Sequence, residues 1–333
     1  MKKIIFTVLE VGNKIEFDLL FVNHGFSGIK IEKSYRYYVN SLDAFYHSDY
    51  SDIVSVIQKQ IAQAKFNRVP TTVILASDQI FLERLTLPIL STSETNKTFN
   101  LELEKTYGDI ENKFVASSVV SKFDKHNKLF KVAFYKLNKF EYLIKFIKKL
   151  GLSPGKVLIR PEIIKSALVK NNALDLKKNV IVVNVGERAT DLVVFKNGKI
   201  DGFMIVNEGM DNIDTLIADS YGVSLAEAEE KRLNDSEFKS VGKFGTIYDF
   251  FEEGLETVIF RIKTIIGAYY ENQKIDYVLI NSEKNSEEYI QEMLERKLKM
   301  DIQKLKISNQ KMKRNLNLCA LFTKTVNNKN FYF

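Results

Sequence analysis

A central stretch of the chain, VIVVNVGERATDLVVFKNGKI (180–200), reads as two apolar strands joined by a tight turn at Gly186. The run 180–183 is short, apolar and β-branched, which is typical of a strand buried on both faces. The second strand ends at Asn197-Gly198, a dipeptide that favours another tight turn. Together with the strand and helix patterns along the rest of the chain, this hairpin predicts a protein of mixed α and β structure.

Length and composition indicate a large globular protein. The 333 residues, of which 45% are hydrophobic, suffice for two domains or one large bilobed unit. The apolar runs are far shorter than the roughly 18 residues of a membrane-spanning helix. The start MKKIIFTVLEVGNKIEF contains Glu10 and Asn13 and lacks a small-residue cleavage site, so it reads as a strand and not a signal peptide. With a single cysteine, Cys319, the chain is predicted to be cytoplasmic.

The charged residues do not favour nucleic-acid or metal chemistry. The net charge is +7, but the lysines are dispersed among 42 acidic residues and form no stripe with arginine and aromatics. We therefore expect no nucleic-acid partner. The three histidines are scattered, without acidic or cysteine neighbours at ligand spacing, so a metal site built from His or Cys is not predicted.

Two domains are predicted, the first spanning 1–154 and the second 155–333. The first begins with three antiparallel strands punctuated by glycine, followed by a helix at 52–66 and two apolar segments joined at the polar corner Ser77-Asp78-Gln79. A small subdomain, at about 86–150, is predicted to be inserted in this domain.

The second domain carries two clear helix signals. Ser224, with Glu227 three residues later, is a capping box at the start of a helix. Apolar residues at steps of three and four from 247 to 271 predict one long amphipathic helix. A buried strand follows, within KIDYVLINSEKN, and stops in a polar turn.

Three longer stretches, taken in their order along the chain, carry a family resemblance. They are ILASDQIFLERLTLP, GLSPGKVLIRPEIIKSAL and YDFFEEGLETVIFRIKTIIGAYYENQKIDYVLI. Together with the two hairpins, they resemble the actin-like ATPase superfamily, within it the PilM-type proteins of type IV pilus assembly, and more distantly FtsA. The resemblance implies an α/β, two-lobed actin-like (ribonuclease H-like) fold with mixed five-stranded sheets and a small inserted subdomain.

This resemblance also implies a ligand, ATP or ADP with Mg²⁺, held by two phosphate-binding hairpins and an adenosine turn. The implied binding residues are Glu10, Gly12, Asn13, Asn184, Gly186, Glu187, Arg188, Thr190, Asp191, Gly209, Glu229, Arg232, Asn281 and Ser282. Glu10 and Asp191 are the implied metal residues, acting through water. Read without the family, the hairpin is an ordinary one and Glu229 and Arg232 lie on an exposed charged helix.

Three departures from the family pattern indicate a reduced site. The family has aspartate where this chain has Glu10 and Asn184, and consecutive glycines where it has NSEKN (281–285). Mg²⁺ favours carboxylate and phosphate oxygen, so loss of a carboxylate weakens metal binding. Phosphoryl transfer depends on positioning and charge neutralisation. We therefore expect weak or lost ATP binding with little hydrolysis, and predict no catalytic residue.

The resemblance implies a scaffold of the type IV pilus, or of a related type II secretion platform, at the inner face of the cell membrane. Its expected partners are the N-terminal cytoplasmic tail of a PilN-like bitopic membrane protein and pilus motor or platform proteins, with oligomerisation left open. One alternative is an FtsA-like membrane tether, although the tail TKTVNNKNFYF is short and polar for an amphipathic anchor. A small-molecule kinase, for which Asp191 would serve, and a filament former are further alternatives.

Overall fold

The computed structural model describes residues 2–25, 28–47, 51–66, 69–108, 114–122, 124–233, 247–269, 274–282 and 286–306. The chain divides between Arg160 and Pro161 into two compact units. Cys319 and the C-terminal tail, both considered above, lie outside the described residues.

A five-stranded mixed sheet forms the centre of the first unit, in the order β3-β2-β1-β4-β8. Its strands are β1 (Lys2–Val11), β2 (Lys14–Gly25), β3 (Gly28–Val39), β4 (Pro70–Ser77) and β8 (Ser153–Ile159). The predicted antiparallel meander is confirmed in β1–β3, whereas β4 pairs in parallel with both β1 and β8. Because β8 completes this sheet, the first unit continues beyond the predicted boundary at residue 154.

Three helices cover this sheet and bury an aromatic core. They are α1 (Leu42–His47), α2 (Ser51–Ala64) and α4 (Leu137–Lys149). The ring of Phe17, on β2, lies with its centroid 5.2 Å from those of Phe45 and Phe146. All three side chains are buried, so the apolar stripe of α4 packs into the main core of the unit.

A small subdomain, the insert, lies between β4 and β8 in the chain. It contains β5 (Phe81–Pro88), α3 (Thr92–Tyr107), β6 (Phe114–Lys122) and β7 (Asn127–Lys136). Its three strands form a sheet in the order β5-β7-β6. It has its own apolar cluster, which includes Phe99, Phe130 and Phe134. The insert thus comprises 81–136, and α4, which the sequence had assigned to the insert, packs with the larger sheet.

The second unit is built on another five-stranded mixed sheet, in the order β11-β10-β9-β12-β13. Its strands are β9 (Asn179–Val185), β10 (Thr190–Lys196), β11 (Lys199–Val206), β12 (Tyr277–Asn281) and β13 (Ile302–Lys304). The predicted hairpin is confirmed as β9 and β10, in which nearly every side chain is buried. Strand β12 runs parallel to β9, so both end at the same edge of the sheet.

Six helices lie beside this sheet in the described part of the chain. They are α5 (Arg160–Lys170), α6 (Met210–Tyr221), α7 (Leu225–Leu233), α8 (Ile247–Gly254), α9 (Glu256–Tyr269) and α10 (Glu287–Leu298). The capping box predicted at the start of α7 is confirmed: Ser224 Oγ accepts from the Glu227 N–H, and the Glu227 carboxylate accepts from the Ser224 N–H at 2.8 Å.

The single helix predicted for 247–271 is wrong, because the chain breaks into α8 and α9 at Leu255. Gly254 lies so close to α6 that a Cβ there would meet Ile213 Cγ1 at 2.8 Å. The Glu208 carboxylate then accepts hydrogen bonds from the N–H groups of Thr257 and Val258, at 3.1 and 3.0 Å. This distant carboxylate caps a new helix, which an apolar pattern cannot indicate.

Across the described part of the chain, no helix is both long enough and apolar enough to cross a membrane.

Candidate functional site

The carboxylate of Glu10, near the end of β1, is fully buried and hydrogen-bonded on several sides. Ser77 Oγ donates to it at 2.9 Å and the Tyr135 hydroxyl at 2.7 Å. The Tyr46 hydroxyl donates to its other oxygen. These donors come from β4, β7 and α1, so Glu10 connects the main sheet, a helix and the insert. We call Glu10, Tyr46, Ser77 and Tyr135 the Glu10 hub.

The two phenols of the hub are held in their protonated form. Their oxygens lie 3.0 Å apart. Burial first, and then the adjacent Glu10 carboxylate, raise the pKa of both Tyr46 and Tyr135 far above the ordinary value for tyrosine. Both hydroxyls therefore act as donors toward Glu10 over the physiological pH range.

The turn between β1 and β2 is also hydrogen-bonded to other segments of the first unit. Gly12 has φ 59°, and a glycine with positive φ at the first central position is typical of a type II′ hairpin turn. Its N–H donates to Asp78 Oδ2 at 2.7 Å, while the Asp78 N–H donates to the Glu10 carbonyl at 3.1 Å. The carbonyl and the side-chain oxygen of Asn13 both accept from the Leu42 N–H, at 2.9 and 3.1 Å.

In the second unit, Asn184 lies between two polar side chains on neighbouring strands. It is directly opposite Asp191 on β10 and opposite Asn281 on β12. Its Nδ2 donates to Asp191 Oδ2 at 2.8 Å, and its Oδ1 accepts from Asn281 Nδ2 at 2.7 Å. All three residues are buried. An amide both donates and accepts here, which an ionised aspartate could not do.

The turn of the second hairpin packs directly on the start of α6. The first two N–H groups of the helix, those of Met210 and Asp211, donate to the carbonyls of Gly186 and Glu187 at 3.0 and 2.8 Å. A Cβ at Gly209 would lie 2.4 Å from the Glu187 carbonyl oxygen. The N-terminus of a helix is a common anion-binding site. At α6, its first two N–H groups instead bind carbonyl groups of the hairpin.

Two further side chains of this hairpin contact the same region. Arg188 Nε lies 3.4 Å from Asp211 Oδ2, with the Asp211 side chain 53% exposed. Such a solvated pair contributes little to stability. Thr190 Oγ1 donates to the Glu208 carbonyl at 2.7 Å, which holds the segment between β11 and α6.

The two residues of α7 that the resemblance implies as nucleotide-binding differ sharply in environment. Glu229 is exposed, whereas Arg232 is buried. The Arg232 guanidinium donates to both carboxylate oxygens of Asp214, at 2.6 and 3.0 Å, and to Ser286 Oγ at 3.0 Å. Arg232 therefore ties α7 to α6 and to the residue before α10.

The predicted adenosine turn is described only in part, since 283–285 lie outside the described residues. Asn281 and Ser282 are buried, with 5% and 7% of their surfaces exposed. Among the residues that the structure describes, Asn281 Oδ1 and Ser282 Oγ have no hydrogen-bond partner. These two oxygens retain hydrogen-bonding capacity at the carboxyl end of β12.

No group of three or more His, Cys, Asp or Glu side chains is placed to hold a metal ion within the described ranges. Sequence reasoning missed the partners of the first hairpin. Asp78 lay in a polar corner that the sequence did indicate, but nothing linked it to Gly12. Tyr46 and Tyr135 gave no signal, because they follow Glu10 by 36 and 125 positions.

No protein-family model matches the sequence, and comparison with curated proteins also finds no match. Among solved structures, the chain is similar to one from the PilM-PilN type IV pilus biogenesis complex, with a TM-score of 0.67 and 12% identity. That similarity covers 97% of this chain and 98% of the other.

A second similar structure is the ethanolamine utilization protein EutJ from Carboxydothermus hydrogenoformans. Its TM-score is 0.51 at 14% identity, over 96% of this chain and 89% of that one. At such identities the similarities establish the fold. The predicted actin-like α/β fold with mixed five-stranded sheets is confirmed.

Proposed function

We propose that this chain, which shares its fold with a chain of the PilM-PilN complex, is a cytoplasmic scaffold of a type IV pilus or related type II secretion platform. The observation that carries the proposal is the extent of that similarity, which covers 97% of this chain and 98% of the other. Coverage this complete includes the insert as well as both five-stranded sheets.

The proposed partner is the N-terminal cytoplasmic tail of a PilN-like bitopic membrane protein. A short extended tail can bind a protein by adding to a sheet edge or by filling an apolar cleft. The first unit offers such an edge in β5, an outer strand of the insert. We propose that the tail binds between the insert and the main sheet, and that the partner holds the chain at the inner face of the membrane.

Nucleotide binding is proposed to be weak or lost. Three observations support this: Glu10 is bound by hub hydroxyls, the Gly12 N–H by Asp78, and Asn184 bridges Asp191 and Asn281. The groups that would meet phosphate and a hydrated Mg²⁺ thus have partners inside the protein. A Mg-nucleotide does not fit this arrangement unless these bonds break, so a binding role is favoured over turnover.

Partner binding is tested with the full chain and a fluorescent peptide. The peptide carries the N-terminal cytoplasmic tail of a PilN-like bitopic membrane protein, and a scrambled peptide of the same composition is the control. We expect saturable binding of the native tail, observed as a rise in fluorescence anisotropy. If both peptides bind equally, or neither binds, the scaffold proposal is wrong.

The nucleotide part is tested separately by calorimetry with Mg-ATP and Mg-ADP. We expect little or no heat of binding at protein concentrations near 100 μM, the range in which weak binding of about −5 kcal/mol first becomes measurable. Micromolar affinity together with steady release of phosphate would contradict the proposal that nucleotide binding is weak or lost, whatever the outcome of the peptide experiment.

A further inference from the structure

The turn between β1 and β2 binds a carboxylate of its own chain. The Gly12 N–H donates to Asp78 Oδ2 at 2.7 Å, a short distance for an amide donor and typical of a charged acceptor. Gly12 and Asp78 are both exposed, so this bond forms at the surface of the first unit.

The backbone holds Asp78 in position for this bond. Strand β4 runs parallel to β1, with Ser77 opposite Glu10, so the next residue emerges beside the turn. The Asp78 N–H donates to the Glu10 carbonyl at 3.1 Å, and the Gln79 N–H to Ser77 Oγ at 3.1 Å. Asp78 is thus fixed at its main chain, and its carboxylate reaches Gly12 through a single short side chain.

We propose that the Asp78 carboxylate is a built-in anion, which occupies the donor of the first hairpin and excludes phosphate from it. A main-chain N–H at a glycine turn suits an anion because the oriented donor is open to close approach. A tethered carboxylate competes at a high effective concentration. It also repels a second anion, since like charges at contact distance in a partly solvated site oppose each other strongly.

The two segments that this bond joins also have lysines next to them. Gln79 Oε1 accepts a hydrogen bond from the Lys139 ammonium at 2.7 Å, and Lys14 is exposed next to the turn. The inference rests on the first hairpin alone and deepens the nucleotide part of the proposed function. It does not depend on whether a PilN-like tail binds.

The test follows the Gly12 amide signal in the full chain labelled with ¹⁵N-glycine, titrated with inorganic phosphate at constant ionic strength. The variant is Asp78→Ala. The control is Glu141→Ala, which removes an exposed carboxylate of the same unit and changes the net charge equally. We expect the Gly12 signal of Asp78→Ala to respond to phosphate with an apparent affinity about tenfold or more above that of wild type, the scale of one lost repulsion.

Asp78→Asn serves as the second variant, because it keeps an oxygen acceptor for Gly12 while it removes the charge. We expect its response to lie between wild type and Asp78→Ala. If Asp78→Ala responds no more than wild type, or no more than Glu141→Ala, Asp78 does not exclude phosphate. A strong response by wild type itself would overturn the inference equally. Failure to bind the tail peptide would refute the scaffold and leave this result unchanged.

Discussion

Replacement of Tyr135 by phenylalanine isolates one bond of the Glu10 hub. The change deletes a single hydroxyl and keeps the ring, so the packing of β7 against the main core is preserved. The lost donor lies 2.7 Å from a carboxylate oxygen of Glu10 and 3.0 Å from the Tyr46 hydroxyl. Glu10 has no exposed surface, so water cannot take the place of the hydroxyl.

The expected loss follows from the charge of the acceptor. A hydrogen bond to a charged group contributes about 1.5–3 kcal/mol, and a buried acceptor that loses its donor keeps its desolvation penalty. For a unit of this size, each kcal/mol lowers the midpoint of thermal unfolding by about 2–4 °C. We therefore expect Tyr135→Phe to lower the midpoint of the first unit by roughly 3–12 °C.

Tyr37→Phe, on β3 of the same unit, is a matched control. The Tyr37 hydroxyl is buried and has no hydrogen-bond partner among the described residues, so its removal should be neutral or stabilising. Thermal unfolding is followed by circular dichroism, and hydrogen exchange of β1 and β7 assigns the transition to the first unit. Equal midpoints for Tyr135→Phe and Tyr37→Phe would refute the hub as a source of stability.

The Tyr135 hydroxyl also makes stability depend on alkaline pH, because burial first, and then the adjacent Glu10 carboxylate, raise its pKa. In the folded chain the pKa of Tyr135 is raised, so its contribution to stability is fully present below the unfolded value of about 10. It is lost as the pH rises from there toward the folded pKa. Wild type should therefore lose more stability than Tyr135→Phe above about pH 10, which urea titrations at pH 8, 10 and 11 can measure.

Three further changes probe the second unit. Arg232→Ala leaves Asp214 buried without its guanidinium and should lower the free energy of unfolding by about 3–5 kcal/mol in urea titration. Glu208→Ala removes the cap of α9; it should cost about 1–2 kcal/mol and speed hydrogen exchange in the first turn of that helix. Asn184→Asp places a second carboxylate against Asp191, so calorimetry should show destabilisation at pH 7 that decreases toward pH 5 as the pair takes up a proton. Unchanged hydrogen exchange in α9 would contradict the prediction for Glu208→Ala. A loss of stability that does not vary with pH would contradict the prediction for Asn184→Asp.

Local sequence patterns predicted the parts of the fold that local interactions determine. The hairpin of β9 and β10 was visible because its apolar residues are contiguous, and the start of α7 because Ser224 and Glu227 form their own cap. The break between α8 and α9 was invisible, since Glu208 and Ile213 come from elsewhere in the chain. The apolar residues keep their helical spacing through such a break, so their periodicity indicates a single helix.

The candidate site divides in the same way. Glu10, Gly12 and Asn184 were identified through the family resemblance of the hairpins that carry them. Their hydrogen-bond partners could not be identified from the sequence, because these partners are distant in the chain. Parallel pairing of β4 with β1 brings Asp78 beside Gly12, and the insert brings Tyr135 to Glu10. Position in a motif therefore indicated the groups of the candidate site, and only the tertiary contacts showed that these groups already have hydrogen-bond partners within the protein.

The insertion of a sheet between β4 and β8 has a consequence for the order of folding. Within the described residues strand β8 pairs with β4 alone, yet the chain from Ser77 to Ser153 separates them. Closing so long a loop loses more conformational entropy than closing a short one. If β5, α3, β6 and β7 assemble first around their own apolar cluster, the loop that remains to be closed is much shorter. We therefore expect the insert to fold early and the pairing of β4 with β8 to be rate-limiting for the first unit.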